Sequence, residues 1–184
     1  MRAFVAIFPP PELRAAVTET FETVQCFNYK VRWVRPENIH LTLKFLGNIQ
    51  EETLGNLWIA LEETCARHEP FDISLARPEA FPSAQRARIL WAGIDEGSDQ
   101  LRALAADLES ALIPLGFERE KRAFTPHLTL GRVRSRLTNI NDLPSAIIGD
   151  LRFRVRHIEL TESTLSLEGV TYRTILAFAL KERG

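Results

Sequence analysis

The tetrapeptide His-Leu-Thr-Leu occurs twice, at His40 to Leu43 and at His127 to Leu130, and this echo constrains the fold more than any other feature of the 184 residues. Helix-and-strand material precedes each copy, so two lobes of similar plan would explain it. On a strand, residues two apart share a face: His40 with Thr42, Leu41 with Leu43, and likewise His127 with Thr129 and Leu128 with Leu130. Each copy therefore presents an imidazole and a hydroxyl together, anchored from behind by two leucines. If the lobes face each other, two imidazoles and two hydroxyls line one cleft. Imidazole titrates near neutrality, so one histidine can take a proton while the other gives one, as displacement at a phosphodiester requires. The threonine hydroxyls suit the non-bridging oxygens. One copy alone would be commonplace on the polar side of an amphipathic strand. Two of the chain's four histidines in the same context are hard to ascribe to packing, which tolerates many residue types.

Hydrophobic periodicity places the elements around these motifs. Arg2 to Phe8 reads as a buried strand, halted by Pro9, Pro10 and Pro11 and followed by a helix carrying Leu13, Ala16, Val17, Phe21 and Val24. Strands are expected at Val31 to Val34 and Ile39 to Leu46. A helix over about Glu51 to Arg67 should bury Leu54, Leu57, Trp58 and Leu61. Strands near Phe71 to Ala76 and Ala87 to Ile94 flank a turn-rich stretch, Pro78 to Ser83. Ser98 is the expected N-cap of a helix bearing Leu101, Leu104, Leu108 and Leu112, with Gly116 as its stop. A strand over His127 to Val133 follows, then a polar stretch ending in Gly149. Three further strands are expected near Leu151 to Leu160, Ser163 to Leu167 and Tyr172 to Leu180. Several connections are too short for a parallel crossover, which argues for antiparallel pairing and an α+β fold.

A net charge of −1 provides no global field for duplex nucleic acid, so any anion site must be local. Arg119, Lys121, Arg122, Arg132, Arg134 and Arg136, set against Glu118 and Glu120, form such a patch near the second motif; it could seat an RNA backbone or be a solvated loop. Arg152, Arg154 and Arg156 read as one solvated strand face. His68 and His157 belong to no repeat and read as structural. Trp33, Phe45 and Trp91 could stack a base, but aromatics within strands are usually core, and strict alternation puts Phe45 on the leucine face. Cys26 and Cys65 lie in apolar helical patterns without metal-ligand spacing and read as small core hydrophobes. The short apolar start, which lacks a cleavage site, and the lack of any membrane-length run point to a cytoplasmic protein with reduced thiols.

The chain resembles the two-histidine phosphoesterase superfamily, specifically its RNA 2′,3′-cyclic phosphodiesterases, historically called 2′-5′ RNA ligases. The resemblance runs through Arg2 to Ile7 and the prolines, Arg32-Trp33-Val34, Pro36-Glu37-Asn38, and His40 to Gly47. It continues through Phe81-Pro82-Ser83, Leu90 to Gly93, Pro114 to Phe117, Thr125 to Leu130 with Arg132, and Leu160 to Ser163 with Gly169 and Tyr172. It implies one domain over residues 1–184: two similar lobes of antiparallel sheet with outer helices around a central cleft. It also implies hydrolysis of a cyclic phosphate to a 2′-phosphate without metal or other cofactor, with reverse ATP-independent 2′-5′ ligation as a further activity. His40 would be the proton donor to the departing 3′ oxygen and His127 the acceptor. Thr42 and Thr129 would hold the phosphate, with Arg132 assisting. Gly131, where relatives often carry alanine, should bear only on local backbone stiffness. The expected state is a monomer acting on RNA ends or small cyclic nucleotides, away from membranes.

Other classes remain open at this level. A non-catalytic module could bind nucleotides in the same cleft, and would tolerate loss of either imidazole far better than turnover would. A metallohydrolase lacks carboxylate or cysteine partners at ligand spacing. No Gly-rich phosphate loop with its lysine appears, which disfavours nucleotide-dependent ligation or kinase chemistry.

Overall fold

A computed structural model describes residues 1–25, 31–134, 151–167 and 169–182, with the side chains of residues 20–25 excepted. In chain order the strands are β1 (Arg2–Ile7), β2 (Val31–Trp33), β3 (Leu41–Asn48), β4 (Phe71–Phe81), β5 (Ile89–Ile94), β6 (His127–Val133), β7 (Arg152–Val155), β8 (His157–Ser166) and β9 (Gly169–Ala179). The helices are α1 (Pro11–Gln25), α2 (Leu54–Cys65) and α3 (Ser98–Leu112). One sheet runs β7-β4-β5-β6-β3-β1-β8-β9, with β2 also on β6, and its registered pairs are antiparallel. The fold is α+β, as expected.

The echo extends to whole elements. A shift of 87 positions carries the start of β1 to that of β5, the start of α1 to that of α3, and His40 to His127. The two halves also trade a strand: β4 pairs with β5 of the second half, and β8 pairs with β1 of the first. Neither half can complete its own part of the sheet.

The two motif strands are neighbours. β3 and β6 meet at a single registered pair, Leu41 opposite Leu128, both fully buried. Antiparallel register then sets His40 level with Thr129 and Thr42 level with His127. Farther along, the edge of β6 is taken by β2, with Arg32 opposite Arg132 and Trp33 opposite Gly131.

A β-bulge follows each threonine. The partner of Ala6 is Thr42 but that of Val5 is Lys44; the partner of Trp91 is Thr129 but that of Leu90 is Gly131. One extra residue just after each threonine breaks strict alternation and bends the sheet there. Leu43 and Lys44 are therefore both buried, and Phe45 emerges 62% exposed. The parity expectation for Phe45 fails for this reason. The leucine face packs Ala3, Val5, Ile7, Leu90 and Ala92 into the core together with Leu57 and Leu61 of α2 and Leu101, Leu104, Leu108 and Leu112 of α3.

Other expectations shift with packing. Pro78 to Ser83 is not a turn throughout, because β4 continues to Phe81. Its proline is tolerated because register slips between Leu75 and Pro78, and β7 covers only Phe71 to Ser74 on the other edge. The cap of α3 is Gly97 at φ 81°, not Ser98; a Cβ there would meet the Asp72 carbonyl at 2.5 Å. Gly116, at φ 89°, does end the helical run, after an added 3₁₀ turn over Ile113–Leu115. Glu51–Thr53 is a separate 3₁₀ turn before α2, and Trp58 is 48% exposed rather than core. Leu151 to Leu160 divides into two strands at Arg156, and Ser163 to Ser166 is the end of β8. Cys65 is buried, and burial pushes its thiol up to about 12. Cys26, Arg136 and the polar stretch before Gly149 lie outside the described residues.

Candidate active site

The backbone enters each motif in the same way. The carbonyl of Asn38 accepts from Nδ1 of His40 at 2.7 Å, and the carbonyl of Thr125 accepts from Nδ1 of His127 at 2.7 Å. A carbonyl can only accept, so each neutral ring carries its hydrogen on Nδ1 and its lone pair on Nε2. The turn before His40 is itself tied to β9, where the Val170 carbonyl accepts from the Asn38 amide at 2.9 Å.

The surroundings of the two rings differ. His40 is partly buried among Phe4 (centroids 5.0 Å apart), Phe8 (5.4 Å) and Tyr172 (5.0 Å). Phe4 lies on β1 and Phe8 just after its end. His127 is exposed, and among the described residues its aromatic neighbour is Trp91, edge to face at 5.7 Å. Burial pushes His40 below the ordinary imidazole range; the bond to Asn38 opposes this, and the charge of His127 adds to it. The two imidazoles are thus close enough to feel each other.

Thr42 and Thr129 are partly accessible, each beside its own histidine and level with the other. Arg132 is exposed on the far side of the second bulge, the counterpart of Phe45 in the first half. Burial raises Tyr172, the aromatic neighbour of His40, while the charges of Arg132 and Arg2 pull it down. Among the described residues neither Arg32 nor Arg132 has a carboxylate partner, although they stand opposite each other. Like charges so placed are unfavourable until an anion joins them.

The structure therefore sets His40, His127, Thr42 and Thr129 at one junction, with Arg132 farther along the same strand past the bulge. Sequence reasoning missed the aromatic wall of Phe4, Phe8 and Tyr172, the contact of Trp91 with His127, and the exposure of Phe45. The spacing of Phe4, Ala6 and Phe8 carries a signal for the wall, but in a continuous apolar strand it does not stand out from the core. Arg152, Arg154 and Arg156 pair with Glu96, Asp72 and Glu182 at 2.8 to 3.0 Å, so they are a solvated ionic face, as expected. His68 bonds Asp107 at 2.9 Å and His157 bonds Glu159 at 3.2 Å, both structural. Among the described residues no three His, Cys, Asp or Glu side chains cluster as a metal site.

Two imidazoles whose Nε2 atoms bond none of the described residues, two hydroxyls and a guanidinium can hold a phosphoryl group and move protons on either side of it. Comparison with known proteins agrees with this chemistry. The sequence profile described as the 2′-5′ RNA ligase superfamily matches residues 9–165. A protein of Methanothermobacter thermautotrophicus named RNA 2′,3′-cyclic phosphodiesterase is 32% identical, over 98% of this chain and 99% of its own. One of the same name from Archaeoglobus fulgidus is 34% identical, over 97% and 99%. The crystal structure of E. coli LigT in apo form superposes with a TM-score of 0.81 at 25% identity, and that of its complex with 3′-AMP with 0.80 at 26%, each covering 98% of both chains.

Proposed function

The chain belongs to the 2′-5′ RNA ligase superfamily, and from that premise we propose that it hydrolyses RNA 2′,3′-cyclic phosphate ends to 2′-phosphates. The observation that carries this reading is the pair of histidines, each with Nδ1 held by the carbonyl two residues earlier, on adjacent strands of a repeated frame. In the reaction His127 Nε2 takes a proton from water as the oxygen attacks phosphorus. The P–O3′ bond breaks, and His40 gives its Nε2 proton to O3′. The products are a 2′-phosphate and a free 3′-hydroxyl, with His40 neutral and His127 charged; solvent returns the proton between turnovers. Thr42 and Thr129 donate to the non-bridging oxygens, and Arg132 balances their charge. The terminal base lies against Phe45.

The assignment of His40 as donor comes from the family pattern, and its surroundings are compatible with it. A ring held below its usual pKa is the stronger acid once protonated, and a bound phosphoryl anion restores that proton. A 5′-hydroxyl in place of water would run the same steps to a 2′-5′ linkage, without ATP because the strained cyclic ester supplies the driving force. No cofactor is needed. The proposed setting is a cytoplasmic monomer, and among the described residues no helix is long and apolar enough to cross a membrane.

The test is hydrolysis of an oligonucleotide 2′,3′-cyclic phosphate in excess chelator, with the product identified by phosphorus NMR. Full activity and a 2′-phosphate are expected. Activity lost to chelator and restored by a divalent ion would sink metal independence, and mainly 3′-phosphate would reverse the assigned orientation. No hydrolysis with tight retention of the nucleotide would favour a binding module.

A further inference from the structure

A cavity of about 570 Å³ lies away from the histidines. It opens along the outer part of β3, between Phe45 to Asn48 and the loop Gly116 to Arg122. By the internal repeat, residues 118–120 of this loop stand where β2 stands in the first half, so Arg119 is the counterpart of Arg32.

The loop is held from behind. Lys44, 4% exposed because the bulge turns it inward, donates to the Glu118 carbonyl at 2.7 Å and to the Glu109 carboxylate at 2.9 Å. Glu109 in turn accepts from the Glu120 backbone N–H at 2.7 Å. Burial alone would raise Glu109, but its bonds to Lys44 and Glu120 outweigh that and hold it below the usual carboxylate range, so it stays charged. The Glu120 carboxylate is drawn back toward Lys44, at 3.9 Å. Arg119, Lys121 and Arg122 are left exposed, with no ion pair among the described residues and Glu118 as the opposing carboxylate. The result is a positively charged groove with an exposed aromatic at one end. Phe45 leads from it to Phe4 (6.3 Å) and on to His40 (5.0 Å).

We propose that this groove is a subsite for the RNA strand on the 5′ side of the cyclic end, in which Arg119, Lys121 and Arg122 bind the phosphodiesters preceding the terminal nucleotide. A cationic groove leading off an aromatic platform is how single-stranded nucleic acid is held without sequence preference. The groove therefore makes the enzyme favour oligonucleotide ends over cyclic mononucleotides. The inference rests on the cyclic phosphodiesterase reading of the histidine site.

The experiment compares kcat/KM for a 2′,3′-cyclic phosphate trinucleotide and the corresponding cyclic mononucleotide, in the unaltered protein and in the R119E/K121E/R122E variant. The unaltered protein should prefer the trinucleotide, most strongly at low salt. The variant should lose roughly tenfold or more on the trinucleotide and leave the mononucleotide unchanged, while the salt dependence on the trinucleotide flattens by about 0.7 in slope for each phosphate that is no longer neutralised. An R119K/R122K variant, which keeps the charge, should retain the preference. Equal losses on both substrates, or a preference that survives charge reversal, would overturn the subsite. An unaltered protein inactive on both substrates would instead overturn the activity beneath it.

Discussion

At the scale of residues, identical local contexts have been placed in unequal surroundings. His40 is walled by three aromatics and His127 is open to solvent, although both rings are tethered alike. Division of labour follows from chemistry rather than from motif. His40→Ala should lose about 10²- to 10⁴-fold in turnover on the natural substrate, and a substrate whose leaving group needs no proton should recover much of this. The same substrate should leave His127→Ala inert, since that variant still lacks the base. Rescue in the opposite variant would swap the roles, and wild-type turnover in both would end the two-histidine mechanism. The depressed pKa of His40 has a further consequence. In the free protein its protonated form thins out as pH rises through a value below 6.5, so kcat/KM should fall early on the alkaline side. Bound phosphate stabilises the imidazolium, so the alkaline limb of kcat should lie at higher pH. These limbs belong to the coupled pair, and a kcat limb at or below that of kcat/KM would argue against phosphate beside His40.

At the scale of elements, the residue inserted just after each motif threonine decides which side chains turn inward and which outward. Strand β6 was legible to its ends at His127 and Val133, because alternating leucines and polar residues bounded by a proline leave little choice. The bulge was not legible, since nothing in Leu43-Lys44 announces that both will turn inward. Lys44 can be buried because Glu109, 65 residues away, and the Glu118 carbonyl wait for it. Gly131 is the matching position in the second half. A Cβ there would meet Val31 Cγ1 at 2.7 Å, Trp33 Cε3 at 3.0 Å and the Arg32 carbonyl at 3.2 Å, so its role is close approach of β2 rather than the local stiffness expected. Gly131→Ala should therefore cost about 1–3 kcal/mol through overpacking, read as a lower denaturant midpoint at unchanged slope. An unchanged midpoint would show that β2 shifts freely.

At the scale of the molecule, the traded strands β4 and β8 bind the halves into one sheet, so acid sensitivity at the cleft is felt by the whole fold. His40 binds protons less readily when folded than when unfolded. Its contribution is thus harmless above the unfolded value near 6.5 and becomes destabilising as pH falls from there toward the depressed folded value. His157, raised by its bond to Glu159, acts oppositely: its stabilisation is present below 6.5 and fades as pH rises through its folded value. His40→Asn should accordingly shrink the loss of stability between about pH 7.5 and about pH 5.5, measured by denaturant unfolding. A loss as large as in the unaltered protein would place the acid sensitivity elsewhere. By itself the sequence determined the two motifs, the periodic helix α3 and the antiparallel α+β class, while the roles proposed for His40, His127, Thr42, Thr129 and Arg132 came from the family resemblance. The motifs and periodicity depend on spacing along the chain, and spacing is local. Only the tertiary structure decided that the motif strands are neighbours sharing one leucine pair, that Phe45 faces outward and Lys44 inward, and that Phe4, Phe8 and Tyr172 enclose one histidine. Those facts depend on register between segments far apart in sequence, where a single extra residue reverses a face and no local pattern records it.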